Sequence, residues 1–359
     1  MKRICKIAIV VLSVVLIGSQ ALFAGGGKEQ GVGSDGVRTT PLKISFGKLG
    51  NDSHFDNQRP FATYMMELVE KYSDGMITFD YYPNGQLGGE PDMLDQIISG
   101  DLDVAMLSEG TFSAVTPEVS MSLLPFLFES SEEFMAVAGL ESGTSYQKEL
   151  VKAVDNYGLF KFIGPVNGVF RALANRKHEI KSINDFRNVT FRVQPGVIYT
   201  DSYSALGAST ASIAFGELYA ALQQGAVDGE DLSLPFFYNY KFYEVERFSS
   251  EVRLFFQTIN LIVSEDCWNK KFTEADRQVF MKAVTEAQKL GMADQTDMDE
   301  EVFKMIEETG VKITRYSDIP KAEVEKMRNA VAPVWDKHAK VNMTVWNALQ
   351  DSLKAYRNK

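Results

Sequence analysis

The chain has 359 residues, 45% of them hydrophobic and 24% charged, which is enough for roughly two domains with cores of their own. Its formal net charge of -11 argues against a nucleic-acid binder, which needs a net basic face. A small anionic ligand stays open, because one buried arginine can reverse the local field.

The first six residues, MKRICK, carry Lys2, Arg3 and Lys6, and the apolar run IAIVVLSVVLIG follows. SQALFA then ends in small residues. This order is that of a secretory signal peptide over residues 1–24, cleaved after Ala24. The apolar run is shorter than the about 20 residues a membrane span needs, so an uncleaved anchor is the weaker alternative. Residues 25–40, GGGKEQGVGSDGVRTT, read as a flexible linker.

LKISFGKL alternates apolar and polar residues and predicts the first strand. RPFATYMMELVEKYS places Phe61, Tyr64, Met65, Leu68, Val69 and Tyr72 at the spacing of an amphipathic helix. MITFDYY is a second strand, bounded by SDG and PNG. The stretch PNGQLGG then turns the chain, with glycines and Asn84 where a larger side chain would clash. Pro91 suits the first turn of the next helix, Gly100 ends it, and LDVAML is a third strand. Strands separated by helices imply parallel pairing, with ligands beyond the carboxyl ends of the strands. PNGQLGG lies at such an end, near the rim of any cleft.

A second unit echoes the first. DQIISGDLDVAML is matched by AALQQGAVDGEDL, each with an apolar helix face, a terminating glycine (Gly100, Gly225) and an aspartate (Asp103, Asp228). The echo suggests two lobes of similar build. VTFRVQPG reads as a strand of the second, and AFGELYAALQQG as a helix with Leu218, Ala221 and Leu222 on one face. Glu217, at that helix start, favours the positive end of the dipole. The last third is helical, from a Thr273 cap onwards, with a break near LGMADQ as an option.

The chemistry is sparse. Cys5 falls in the leader and leaves Cys267 alone, so the mature chain has no intrachain disulfide, and Cys267 reads as core. His54, His178 and His338 are far apart, and no zinc spacing, serine elbow or cysteine–histidine pattern occurs. No catalytic residue, metal site or cofactor is expected.

Five stretches in order carry a resemblance: YYPNGQLGGEPDMLDQIISGDLDVAMLS, LPFLF, RALANRKHEIKSINDFRNVTFRVQ, ALGASTASIAFGELYAALQQGAVDGED and KFYEVERF. From about residue 42 to 355 the chain resembles the extracytoplasmic solute-binding proteins of tripartite ATP-independent periplasmic (TRAP) transporters. The resemblance implies an α/β, two-lobe periplasmic binding protein fold, with mixed sheets flanked by helices and a helical C-terminal region. It places lobe I at 41–168 plus about 258–297, and lobe II at 169–257 plus about 298–359. It implies a periplasmic receptor, not an enzyme, that closes on a small organic acid and delivers it to integral membrane subunits. Monomer is the default state.

The same resemblance assigns ligand-binding roles. Arg192, in FRVQ, takes the two-point salt bridge with the ligand carboxylate, and Arg171, in VFRALANR, is the second arginine. A planar guanidinium matches both carboxylate oxygens, which lysine does not. For either arginine the bland alternative is a structural salt bridge with an acid of the chain. Phe215 is the aromatic that packs on the ligand, while Asn51, Asp52 and Ser108 stand at first-lobe contact positions. Leu232 replaces the family's usual asparagine, and Gln194 its usual proline. Leu232 hints at a less polar ligand body. An exported enzyme on a small acid, or a solute sensor docking on a receptor, are the competing functions.

Overall fold

The structure is a computed structural model, and it describes residues 38–359. The expected signal peptide and nearly all of the linker lie outside the described residues.

In chain order the first part runs β1 (Leu42–Lys48), α1 (Arg59–Tyr72), β2 (Ile77–Tyr82), α2 (Glu90–Ser99), β3 (Val104–Ser108), α3 (Ser131–Ala138), α4 (Ser145–Asp155) and β4 (Lys161–Phe170). The second runs β5 (Ala172–Asn175), β6 (Thr190–Val193), α5 (Val197–Leu206), β7 (Ser209–Ser212), α6 (Phe215–Gln224), β8 (Gly229–Leu232), α7 (Leu234–Asn239) and β9 (Phe248–Ser250). The third runs β10 (Phe256–Val263), α8 (Glu274–Glu308), β11 (Lys312–Thr314), α9 (Lys321–His338) and α10 (Met343–Arg357).

Two mixed sheets result, with strand orders β2-β1-β3-β10-β4 and β11-β9-β5-β8-β6-β7. The helix-linked neighbours β1, β2 and β3 pair in parallel, as do β6, β7 and β8. The strands that return from the other sheet run antiparallel: β10 against β3 and β4, β5 against β8 and β9. The expected two-lobe class with mixed sheets is what the chain forms.

The echo between the halves has a structural content. α2 and α6 both end at a glycine in the left-handed region, Gly100 at φ 85° and Gly225 at φ 78°. The aspartate that follows reaches sideways to the neighbouring strand. Asp103 accepts from the Ser45 backbone N–H at 3.0 Å, and Asp228 from that of Thr190 at 2.9 Å. In each lobe the same device holds a strand to the one beside it.

Three chain segments join the sheets. Arg171 is the single residue between β4 and β5, residues 251–255 separate β9 from β10, and α8 runs past both. α8 is one helix of 35 residues, so the optional break near Gly291 does not occur. A capping box starts it: Thr273 Oγ1 accepts from the Asp276 N–H at 3.1 Å, and the Asp276 carboxylate accepts from the Thr273 N–H at 2.8 Å. Its face packs on α1, burying Phe280, Ala283, Val284 and Ala287 with Phe61, Met65 and β1. Cys267 is buried in the same core, and burial pushes its thiol up, away from reactivity.

The C-terminal helices divide, although 298–359 was expected to belong together. α9 lies on α5, where Lys337 Nζ and His338 Nε2 each sit 2.7 Å from Asp201. α10 instead returns to α3 and α4 of the first lobe. There Arg357 Nε donates to Glu133 at 2.6 Å and Asn342 Nδ2 to Glu118 at 3.1 Å. The apolar stripe Val345, Leu349 and Leu353 is buried there, which is why the helix takes that face. No helix among the described residues is long and apolar enough to cross a membrane.

Candidate functional site

Between the lobes lies a cavity of about 350 Å³, within the size range of small-ligand sites. The first lobe supplies Leu49, Gln58, Gly89, Glu90 and Thr111; the second supplies Arg192, Phe215, Leu232 and Phe236; Gln257 of β10 lies at the crossing. An adjoining depression of about 530 Å³ shares Leu49, Gly89, Phe215 and Gly216, and is lined by Asn84, Gly85 and Gly88. The turn PNGQLGG is therefore the rim. Asn84 (φ 58°) and Gly85 (φ 61°) take the left-handed backbone it requires.

Strand alternation aims Arg192. In β6, Phe191 and Val193 are buried on the face that carries α5, and Phe191 stacks on Tyr203 at 4.9 Å. Arg192 points the other way, 2% exposed, with its Nε donating to the Ile213 carbonyl at 2.8 Å. That bond fixes the plane of the guanidinium and leaves both terminal nitrogens for something else. Among the described residues no carboxylate forms a salt bridge with Arg192. Burial and the neighbouring Arg171 charge lower its pKa to about 10, so it keeps its proton at neutral pH.

The N-terminus of α6 opens beside it. Ala214, at the cap position, offers no side-chain acceptor, and Ala214, Phe215 and Gly216 line the cavity. Unsatisfied amides and the helix dipole favour an anion at that end. The α2 N-terminus across the cavity differs: Asp92 already accepts from the Gly89 N–H at 2.8 Å. Phe215 is held edge-on by Tyr240 at 4.8 Å and by Phe236 at 5.6 Å. Leu232 forms the wall beside them.

The remaining expected residues do not line the cavity. Arg171, 1% exposed, pairs with Asp231 at 3.0 Å and lies 5.3 Å from the centre of the Tyr199 ring. Burial alone would lower its pKa, but Asp231, Tyr199 and Glu109 together raise it. Ser108 is buried, its N–H donating to Glu90 at 3.0 Å and its hydroxyl to the same carboxylate. Asn51 accepts from Asn239 Nδ2 of α7 at 2.8 Å, across the two lobes. Asp52 accepts from the Tyr81 hydroxyl at 2.6 Å.

Sequence reasoning missed Glu90, Gln58, Thr111 and Gln257. Glu90 had one signal: an acid at the first position of a helix beginning in the rim turn. Gln257 had none, because only pairing of β10 across two strands brings it to the cleft. Beneath the floor, Glu109 accepts from Tyr199 Oη at 3.2 Å and from the Thr258 N–H at 2.8 Å. Burial, partly offset by Arg171, raises its pKa to about 7. No group of three or more metal-ligating side chains occurs among the described residues.

Residues 52–342 match the model of the bacterial extracellular solute-binding proteins, family 7. The chain belongs to that family. It is 28% identical over 278 residues to the sialic acid-binding periplasmic protein SiaP of Vibrio cholerae, covering 76% of this chain and 82% of that one. It is also 36% identical over 203 residues to the uncharacterized protein y4mM of Sinorhizobium fredii, covering 56% of this chain but only 37% of that protein. Among solved structures, the sugar acid binding protein DctPAm of Advenella mimigardefordensis, in complex with galactonate, superposes with a TM-score of 0.78 at 25% identity. That match covers 88% of this chain and 99% of the other. The family 7 protein described here is thus a TRAP-type solute-binding receptor rather than an enzyme, in an extracytoplasmic family.

Proposed function

We propose that the protein captures an organic acid anion between its lobes and delivers it to the integral membrane subunits of a TRAP transporter. One observation carries the reading: Arg192 is buried in the interlobe cavity, held by Nε, and without a carboxylate partner among the described residues. A buried guanidinium with no direct salt-bridge partner costs free energy that an incoming carboxylate recovers. The relatives agree in chemistry, since sialic acid and galactonate, named for two of them, both carry a carboxyl group.

In this reading Arg192 grips both carboxylate oxygens and the open α6 amides add to the field. Phe215 packs on the ligand, with Leu232 and Phe236 along its body. Arg171, Asn51 and Ser108 act from outside the lining, through Asp231, Asn239 and Glu90. Calorimetric titration against carboxylates, preceded by mass spectrometry of ligand retained on the purified protein, tests it. Arg192→Ala is expected to weaken the identified acid at least about 100-fold, on the order of 3 kcal/mol, the loss typical of a buried charge pair. Arg192→Lys, which keeps charge without the fork, falls between. Undiminished binding by Arg192→Ala would remove the proposed anchor.

A further inference from the structure

We infer that the cavity selects a monocarboxylate whose far end carries hydroxyl groups, and that Glu90 is the residue that turns away a second carboxylate. The inference rests on Arg192 as the anchor and goes beyond it, to the class of acid.

The two walls of the cavity are electrically opposite. The wall from the second lobe carries Arg192 and the uncapped start of α6. The wall from the first lobe carries Glu90 and Asp92, on the first turn of α2. Among the described residues, Arg192 is the only basic side chain lining the cavity. The nearby Arg171 is committed to Asp231. A dicarboxylate anchored at Arg192 would therefore bring its second charge to a wall that offers no cation and carries two acids.

Glu90 is placed for this task. It is 8% exposed, and three protein donors fix it: Ser108 N–H to Oε1 at 3.0 Å, Thr111 Oγ1 to Oε2 at 2.6 Å, and the Ser108 hydroxyl to Oε2. Oε1 takes only one of these, so it retains capacity for a donor from the cavity. A group held as an acceptor accepts from a ligand hydroxyl and repels a ligand carboxylate. Elsewhere in the lining, the side chains of Gln58, Gln194 and Gln257 offer amides, while Leu49, Phe215 and Leu232 offer apolar surface. A hydroxylated carbon chain presents both kinds of surface along its length.

The test uses pairs of acids that differ only at the far carbon: L-threonate against L-tartrate, and D-gluconate against D-glucarate, titrated calorimetrically into the full-length mature protein. The hydroxy monoacid of at least one pair is expected to bind at least about tenfold more tightly than its diacid. Glu90→Gln keeps an oxygen for the Ser108 N–H, lets the Ser108 and Thr111 hydroxyls turn to accept from its amide, and drops the charge, and is expected to bring that ratio to within about threefold by strengthening the diacid. Diacids that bind wild type as tightly as the monoacids, or a ratio untouched by Glu90→Gln, would overturn the inference while leaving Arg192 as anchor. If Arg192→Ala binds the same acids as well as wild type, the anchor itself fails and this inference with it. Should Glu90→Gln not fold, the wild-type ratio still decides.

Discussion

Arg192 and Arg171 are both buried in the second lobe, and the atoms around them give them different work. Arg171 has an acid of its own, Asp231, at 3.0 Å, whereas Arg192 spends only Nε, on a carbonyl. The residue type and strand position of Arg192 were legible in FRVQ. That Asp231 would pair with one arginine and not the other was not, since β5 and β8 come together only in the sheet. The same scale holds a titration. Glu109, raised to about 7 by burial, prefers its proton in the folded state. A raised folded pKa gives stability that is complete below the unfolded value, near 4.3 for a glutamate, and is lost as pH rises through 7. The melting temperature of wild type relative to Glu109→Gln is thus expected to fall between pH 5 and about 7.5. A constant difference across that window, measured by differential scanning fluorimetry, would refute the assignment. Glu230 and Glu246, fully buried and likewise pushed up, add a slope of the same sign that this comparison cancels.

At the level of elements, the amphipathic spacing of α1 and α2, the glycine stops and the Thr273 cap were all readable, because each depends on residues within a few positions. Gly291 alone suggests a break, but the helix runs through it. Its role is close approach: a Cβ there would stand 2.9 Å from the Phe61 backbone nitrogen and 3.0 Å from its Cα. Glycine in mid-helix costs about 1 kcal/mol against alanine, so the contact with α1 must be worth keeping. Gly291→Ala is expected to destabilise the protein by about 1–2 kcal/mol despite its better helix propensity, with overpacking of backbone the stronger effect. Urea denaturation measures this, and a stabilised variant would show that α1 yields. The placement of α10 was not legible for a related reason. Its buried stripe specifies that it must pack, but nothing within the helix says on which lobe.

For the whole molecule, the cleft is closed by contacts that join distant parts of the chain. Asn239 Nδ2 donates to Asn51 at 2.8 Å, Tyr240 Oη to Asn84 at 3.4 Å, and Phe55 meets Tyr238 edge-on at 5.5 Å. These contacts, like the two-sided cavity, exist only with the lobes together, so they bias the equilibrium towards closure. Asn239 does not itself line the cavity. Asn239→Ala is expected to weaken ligand binding about three- to tenfold, roughly 1 kcal/mol for one hydrogen bond, with the ligand contacts intact. Equal affinity, by calorimetry, would mean that the bond forms in the open state as well.

Strand and helix alternation, the two echoing lobes, the family and the arginine in the cleft strand were determined by the sequence itself, because periodicity, caps and long ordered motifs are local. The tertiary structure alone decided which acid pairs with which arginine, which lobe receives the last helix, and which carboxylates line the cavity together with Arg192. Those outcomes depend on pairing between segments far apart in the chain, where geometry, and not spacing along the sequence, sets the distance between charges.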